Sequence, residues 1–534
     1  MRRDRRTRLG GLLTATATAT ATIWAGCGAA PEPEATARSE RVEVLRPGPG
    51  AVSAPRVRPT DGSGWFGNGY PMGSDVTSYA SPGGHFRVWY AQKGDQAVDL
   101  SDQDGDKVPD FVNAVAAAAD RTYESTVTER GFRPPLNDSV YNDGRGFGTD
   151  DRFDIYLRWA QKGSDGYRVV EKCTDAADPP PDRCAGYFVM NPSFKGSSYK
   201  TERDGIEVLT SHELFHALQD AYRASVVRTF SEGTAVWNEL QVFPRDKDKG
   251  REGTWRDYLG FLPALFSEPE RPFDKSLGTG PGTSYAYATA AWFEFLSERH
   301  GPRLVREIWE GSVADAAGEG LSFLEVSEAL LRDRYKSDLR DEWAEFTRWN
   351  LLTGPRAPLG TMTGGPRSYR DAVEYPAVRL EPAVTALGTA TPLSLDGLSA
   401  RYLPLRPELA RTSRLRLKVG DGSATPAVVT VYVKGRGGAP LGPASVVRDG
   451  SHELTLTPGD ELIAVVSGVV RGARPYTVTL TLEELASEPE GNPKEEGGCG
   501  IGAPRPVRPA PLGLLGVALA LARLRRRRSA GRST

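Results

Sequence analysis

The chain has 534 residues, with 67 Lys and Arg against 69 Asp and Glu, 39% apolar residues, four Cys and five His. That length allows two to four domains with real cores, and the composition excludes collagen-like repeats, wholesale disorder and a multi-span membrane protein. The cations crowd the ends: residues 1–26 carry +4 and residues 499–534 carry +8, so the net −2 leaves −14 on residues 27–498. An acidic body does not track a phosphate backbone, and nucleic acid is not an expected partner.

Residues 1–26 read as an export leader. Met1–Arg8 is a charged start, the Thr-Ala run of residues 14–22 follows, and Trp24-Ala25-Gly26-Cys27 closes it. Small residues directly before a Cys resemble a bacterial lipobox, which implies acylation of Cys27; Trp24 stands where an aliphatic residue is usual, so plain secretory cleavage stays open. Residues 27–62, rich in Pro, Ala, Arg and Glu without periodicity, read as a linker.

Residues 63–355 mix two patterns. His85–Ala91 and Arg152–Trp159 alternate as half-buried strands do, and Tyr187–Met190 is a further short strand. Between the first two, Asp102, Asp104, Asp106 and Asp110 take positions 1, 3, 5 and 9 of a loop with Asn113 at position 12, which resembles an EF-like or thrombospondin-type calcium loop. Lys107 replaces the usual Gly at position 6 and position 12 lacks an acid, so a solvated acidic turn is the competing reading. Cys173 and Cys184 flank the loop TDAADPPPDR. In an exported chain they are expected to form a disulfide, contributing about 2–3 kcal/mol by loop entropy. Helical patterns then run over Gly205–Ala224, Glu232–Val242, Ser284–His300 and Phe323–Asn350. Strands first and helices later predict an α+β domain.

The first of those helices contains His212-Glu213-Leu214-Phe215-His216. Residues four apart on a helix differ by 400°, so both imidazoles leave one face about a turn apart. Two rings so placed can grip one Zn²⁺ at about 2.0–2.1 Å each, with Glu213 beside the open position as general base. A third ligand is still required. Gln219 and Tyr222 occupy the Gly and His positions of a metzincin continuation, which excludes that class. Downstream, Glu232-Gly233-Thr234-Ala235 resembles the gluzincin segment in which a Glu opening a second helix completes the set. By that resemblance Glu232 is the third ligand; Glu239, two turns on, is its rival or a group orienting a histidine. The run Ser284–Trp292 resembles the gluzincin helix that offers a Tyr hydroxyl to the substrate, with Tyr287 first and Tyr285 second, while a core aromatic remains equally open. The strand at Tyr187–Met190 is a candidate cleft edge for an extended peptide.

Residues 377–485 change texture. Six short β-rich runs, from Ser399–Leu405 to Tyr476–Leu482, are separated by Gly, Pro and Asp and predict a small all-β sandwich in an accessory role. Residues 486–498 read as a second linker. In residues 499–534, Cys499, the short apolar run Leu512–Ala522 and Arg525–Arg528 resemble the MYXO-CTERM sorting tails of myxobacterial surface proteins. The HExxH helix, the Glu-Gly-Thr-Ala segment and the Asp-rich loop together are similar to a secreted metalloprotease family of myxobacteria. That resemblance implies a zincin-like catalytic domain and an exported zinc endopeptidase acting on protein or peptide. It also implies a mature chain held at a membrane through Cys27, the tail or both, at the outer membrane or cell surface or released. Its rival is a calcium-binding adhesion lipoprotein with a degenerate metallopeptidase domain.

Overall fold

A computed structural model describes residues 58–60, 69–71, 73–136, 150–160, 164–173, 183–274, 283–313, 322–358, 368–420, 427–436, 441–442, 444–447 and 450–486. The leader with Cys27, most of the first linker and the whole C-terminal tail lie outside the described residues. Among the described residues no helix is long and apolar enough to cross a membrane.

The first lobe opens with β1 (Val76–Ala80), β2 (Phe86–Ala91), α1 (Asp110–Tyr123), β3 (Phe153–Leu157), β4 (Gly166–Cys173) and β5 (Cys184–Met190). They form a five-stranded sheet in the order β1-β2-β3-β5-β4, with β2, β3 and β5 parallel and both outer strands antiparallel to their neighbours. Strand period two sorts the side chains cleanly. Phe86, Val88, Phe153, Ile155, Leu157, Phe188 and Met190 enter the large core on the helical side, whereas Tyr156, Tyr187 and Val189 join Tyr70 on the other. On that second side Arg58, wholly buried, pairs with Asp154 and Glu171. The disulfide Cys173–Cys184 joins residues directly opposite in the β4–β5 pair. One expectation is corrected here. Tyr187–Met190 lies inside β5, which is bonded to β3 on one side and β4 on the other, so β4 and not β5 is the sheet edge.

Next come α2 (Glu202–Asp220), α3 (Arg228–Val242), α4 (Gly253–Phe261), α5 (Pro263–Phe266), α6 (Thr283–Ala288), α7 (Ala290–His300), α8 (Arg303–Gly311), α9 (Phe323–Leu330) and α10 (Leu339–Leu351). Two expected helices are broken. Ser284–His300 splits at Thr289, whose hydroxyl turns back to Ala286 O at 2.5 Å and across to Thr229 O at 2.6 Å. Phe323–Asn350 splits where Lys336 takes the left-handed φ of 53° and Asp338 caps the next helix through Asp341 N. Periodicity alone misses both breaks because buried apolar residues continue on either side of each.

The second lobe is an all-β sandwich, and the whole architecture is α+β followed by this sandwich. Its strands are β6 (Thr391–Leu395), β7 (Ser399–Leu405), β8 (Ser413–Gly420), β9 (Ala427–Lys434), β10 (Ser445–Val446), β11 (Ser451–Leu456), β12 (Glu461–Gly468) and β13 (Tyr476–Glu484). They form two four-stranded sheets, β10-β9-β12-β7 and β11-β8-β13-β6. Leu462, Ala464 and Val466 of β12 face the sandwich interior, while Ile463 and Val465 join the core of the helical lobe. Burial on both faces is why β12 reads as an unbroken apolar run rather than an alternating one. Polar links reinforce the junction: Tyr402 donates to Thr347 O at 2.9 Å, and the Thr347 and Ser467 hydroxyls meet at 2.6 Å.

Candidate metal centre

The centre starts from α2, whose N-terminus is fixed by a capping box between Thr201 and Asp204. From Asp204 to Asp220 every residue is buried, because the sheet lies on one side of α2 and the later helices on the other. Such a helix normally has few polar residues. This one buries Glu207, Ser211, His212, Glu213, His216, Gln219 and Asp220, each of which needs an internal partner. Ser211 donates to Glu207 O at 2.6 Å, and Asp220 pairs with Arg168 of the edge strand β4, which also donates to His216 O at 3.3 Å.

Helix α3 crosses this face. Gly233 permits the approach, since a Cβ there would stand 2.3 Å from Thr289 Oγ1 and 2.9 Å from Phe293 Cε2. The crossing delivers Glu232 to the histidine pair. His212 Nε2 and His216 Nε2 are 3.1 Å apart, and each lies 3.3 Å from Glu232 Oε2. A tetrahedral ion with bonds of about 2.0–2.1 Å separates neighbouring ligand atoms by about 3.3–3.4 Å. The triangle of donor atoms therefore has the edge length that zinc requires.

The tautomers follow from the outer hydrogen bonds. His212 Nδ1 lies 2.8 Å from Glu239 Oε1, a carboxylate that can only accept. His216 Nδ1 lies 2.8 Å from Gln219 Oε1, whose orientation is set because the amide nitrogen donates to Ser231 O at 2.9 Å. Both rings thus carry hydrogen on Nδ1 and direct Nε2 inward. Three electron pairs, two from imidazoles and one from Glu232, converge on one point in the interior. Burial alone would lower the His212 pKa, but hydrogen bonds to Glu232 and Glu239 reverse this and push it up to about 10. Burial likewise favours a neutral Glu232, yet its two histidine neighbours hold it ionised. The surrounding protein therefore favours positive charge at this point. A proton on His212 can meet only part of that demand, whereas a divalent ion meets all three acceptors together. The residues fit zinc.

Glu213 flanks the triangle. Both its carboxylate oxygens are buried without a hydrogen-bond partner among the described residues, and burial raises its pKa. Tyr287, on α6, stacks on His212 at 5.8 Å between centroids and on Phe261 at 4.8 Å. Tyr285 instead donates to Arg271 O at 3.3 Å beneath the Arg271 guanidinium. The fold thus gathers His212, Glu213, His216, Glu232 and Tyr287, with Glu239 outside the triangle, and leaves Tyr285 apart. Arg228, one turn before Glu232, brings a guanidinium nitrogen to 3.7 Å from Glu232 Oε1. Sequence reasoning passed over Gln219 and Arg228; Gln219 was readable only as a metzincin mismatch, although it lies three residues after His216 on the same helix.

The second expected centre is different. Carboxylate oxygens of Asp102, Asp104 and Asp106 lie within 4.8 Å of one another, all exposed, and Lys107 takes the left-handed φ of 72°. Asp102 accepts from Gly105 N at 2.8 Å and Lys107 N at 3.0 Å, Asp106 from Val108 N at 2.7 Å and Asn113 Nδ2 at 2.9 Å, and Asp110 from Gln103 N at 3.1 Å.

No protein-family model matches the chain, and no curated protein matches it in sequence. Among solved structures, a stretch covering 19% of this chain aligns with 96% of Aeromonas hydrophila PliG, a periplasmic lysozyme inhibitor of g-type lysozyme, at 16% identity and a TM-score of 0.15. Its Salmonella Typhimurium counterpart aligns over 20% of this chain and 99% of its own length, at 10% identity and a TM-score of 0.14. Likenesses of that size bear on neither fold nor function.

Proposed function

We propose that this chain is an exported zinc-dependent endopeptidase of gluzincin type, akin to the secreted myxobacterial metalloproteases. The observation that carries the reading is the convergence of His212 Nε2, His216 Nε2 and Glu232 Oε2 at 3.1–3.3 Å, with an unpartnered Glu213 carboxylate beside them. Zinc held by those three residues supplies Lewis acidity to a carbonyl and acidifies a water. Glu213, freed from structural hydrogen bonds, accepts a proton from water and returns it to the leaving amine. Tyr287 is the residue proposed to steady the developing oxyanion. The edge strand β4, tied to α2 through Arg168 and Asp220, is where an extended peptide adds by strand pairing. The Asp102–Asp110 loop is assigned to calcium in the same reading. Membrane attachment is assigned to Cys27, the C-terminal tail or both.

One observation favours a second reading. His212, Glu213, His216 and Glu232 are all fully shielded from solvent, and closed sites are characteristic of structural zinc. In that reading the ion stitches α2 to α3 in a displayed calcium-binding adhesion protein. Replacing Glu213 by Gln separates the two. The endopeptidase reading expects unchanged zinc content and a fall of about 10²–10⁴ in cleavage of an unfolded protein substrate. Cleavage that survives both the substitution and chelation removes the catalytic reading; zinc uptake without any cleavage in the wild type leaves the structural one.

A further inference from the structure

The two histidines are held from behind by chemically different groups, and the group behind His216 also reaches the third ligand's helix. We propose that Gln219 is a positioning residue of the metal centre, whose side-chain amide locks the His216 ring and the N-terminal half of α3 into one unit. This rests on the zinc reading above.

Gln219 is 2% exposed, and its amide is saturated. Its oxygen accepts from His216 Nδ1 at 2.8 Å and from the Ser231 hydroxyl at 3.2 Å. Its nitrogen donates to Ser231 O at 2.9 Å and to Thr234 Oγ1 at 3.1 Å. A primary amide has two acceptor sites and two donors, and all four are used. Ser231 and Thr234 bracket Glu232, and Thr234 is itself held by Trp309 Nε1 at 3.3 Å and by its own bond to Phe230 O at 2.7 Å. One side chain therefore sets which nitrogen of His216 carries hydrogen and where the helix bearing Glu232 sits. The carboxylate of Glu239 fixes the hydrogen on His212 Nδ1 from α3 itself, so it too ties α2 to α3, but at a point two turns beyond Glu232. A neutral amide suits the second position because Glu213, Glu232 and Glu239 already bring three carboxylates into the same buried region, and a fourth would add a further buried negative charge that a divalent ion cannot balance.

The test uses the full chain and zinc itself, with affinity read by competition against a chelator of known strength. Gln219→Leu is expected to weaken zinc about 10- to 100-fold, the usual cost of removing a group that orients a ligand. Thr234→Val cuts one α2–α3 link and leaves the His216 contact, so its zinc affinity stays within about threefold of wild type even where melting falls. A variant-free measurement accompanies these: the His216 Nδ1 hydrogen of the zinc-loaded wild type is expected as a slowly exchanging ring resonance. Wild-type zinc affinity in Gln219→Leu, or equal losses in Gln219→Leu and Thr234→Val, overturns the proposal, as does a His216 Nδ1 hydrogen in fast exchange with water. A wild type that takes up no zinc instead overturns the parent reading, which the variants by themselves do not touch.

Discussion

The α2–α3 cluster and the Asp102–Asp110 loop both present three ligand atoms close together, yet they differ in what those atoms already have. In the loop, backbone amides from Gly105, Lys107 and Val108 point into the carboxylates, and every aspartate at the tip is exposed to solvent. In the cluster the outer nitrogens are engaged by Glu239 and Gln219, while the two Nε2 atoms and Glu232 Oε2 face one another, fully shielded from solvent. Burial and the convergence of ligand atoms, rather than a count of acids, are what distinguish the two clusters.

The largest effect that would break this comparison is the removal of zinc. Excess zinc at about a thousand times its Kd should stabilise the chain by about 4 kcal/mol. His216→Ala is expected to abolish that gain, read as a zinc-independent Tm; a zinc-dependent Tm in the variant would mean the ion binds elsewhere.

A third carboxylate sharpens the contrast. Glu342 is as buried as Glu232 but accepts from Arg299 and Ser337, with His300 Nε2 3.1 Å away. Burial works to raise its pKa, and these partners outweigh it, bringing it down from 4.5 to about 2. Its folded pKa lies below the unfolded one, so its stabilisation is complete above about pH 4.5 and drains away as pH falls towards 2. Glu342→Gln should remove up to about 3 kcal/mol of stability at neutral pH and flatten the acid limb of the stability curve. An acid limb unchanged by the substitution would show that these partners do not hold the carboxylate ionised.

A smaller effect tests how α3 reaches the histidines. Gly233→Ala should cost about 1–3 kcal/mol by overpacking against Thr289 and Phe293, and should weaken zinc as Glu232 is pushed off its position. Wild-type stability would show that α3 can shift without loss. The smallest effect belongs to the exposed loop. Asp104→Ala should change metal-free stability by less than about 0.5 kcal/mol, since a surface site lacks buried unmet groups. Calcium should raise the wild-type Tm by a margin that this variant loses; no calcium response in either chain would leave the loop as a solvated turn.

Much of this was readable along the chain. The four-residue spacing of His212 and His216 carries its geometry with it, because helix period is a local property. The Cys173–Cys184 pair and the β-rich texture after residue 377 were equally legible. The broken helices at Thr289 and Lys336 were not, since hydrogen bonds to distant Thr229 and a single left-handed residue leave no mark on apolar spacing.

What the amino-acid order determined unaided, then, was which side chains leave one helix face together: His212 with His216, and Glu232 with Glu239. Only the crossing of α2 and α3 decided their division of labour, sending Glu232 to the Nε2 atoms and Glu239 to Nδ1 of His212. The same packing stacked Tyr287 on His212 and left Tyr285 against Arg271, placed β4 at the sheet edge, and brought Gln219 to His216. Periodicity tells which residues share a face, but the distance and angle at which two faces meet depend on contacts far apart in the chain, here a glycine on α3 against a threonine between α6 and α7.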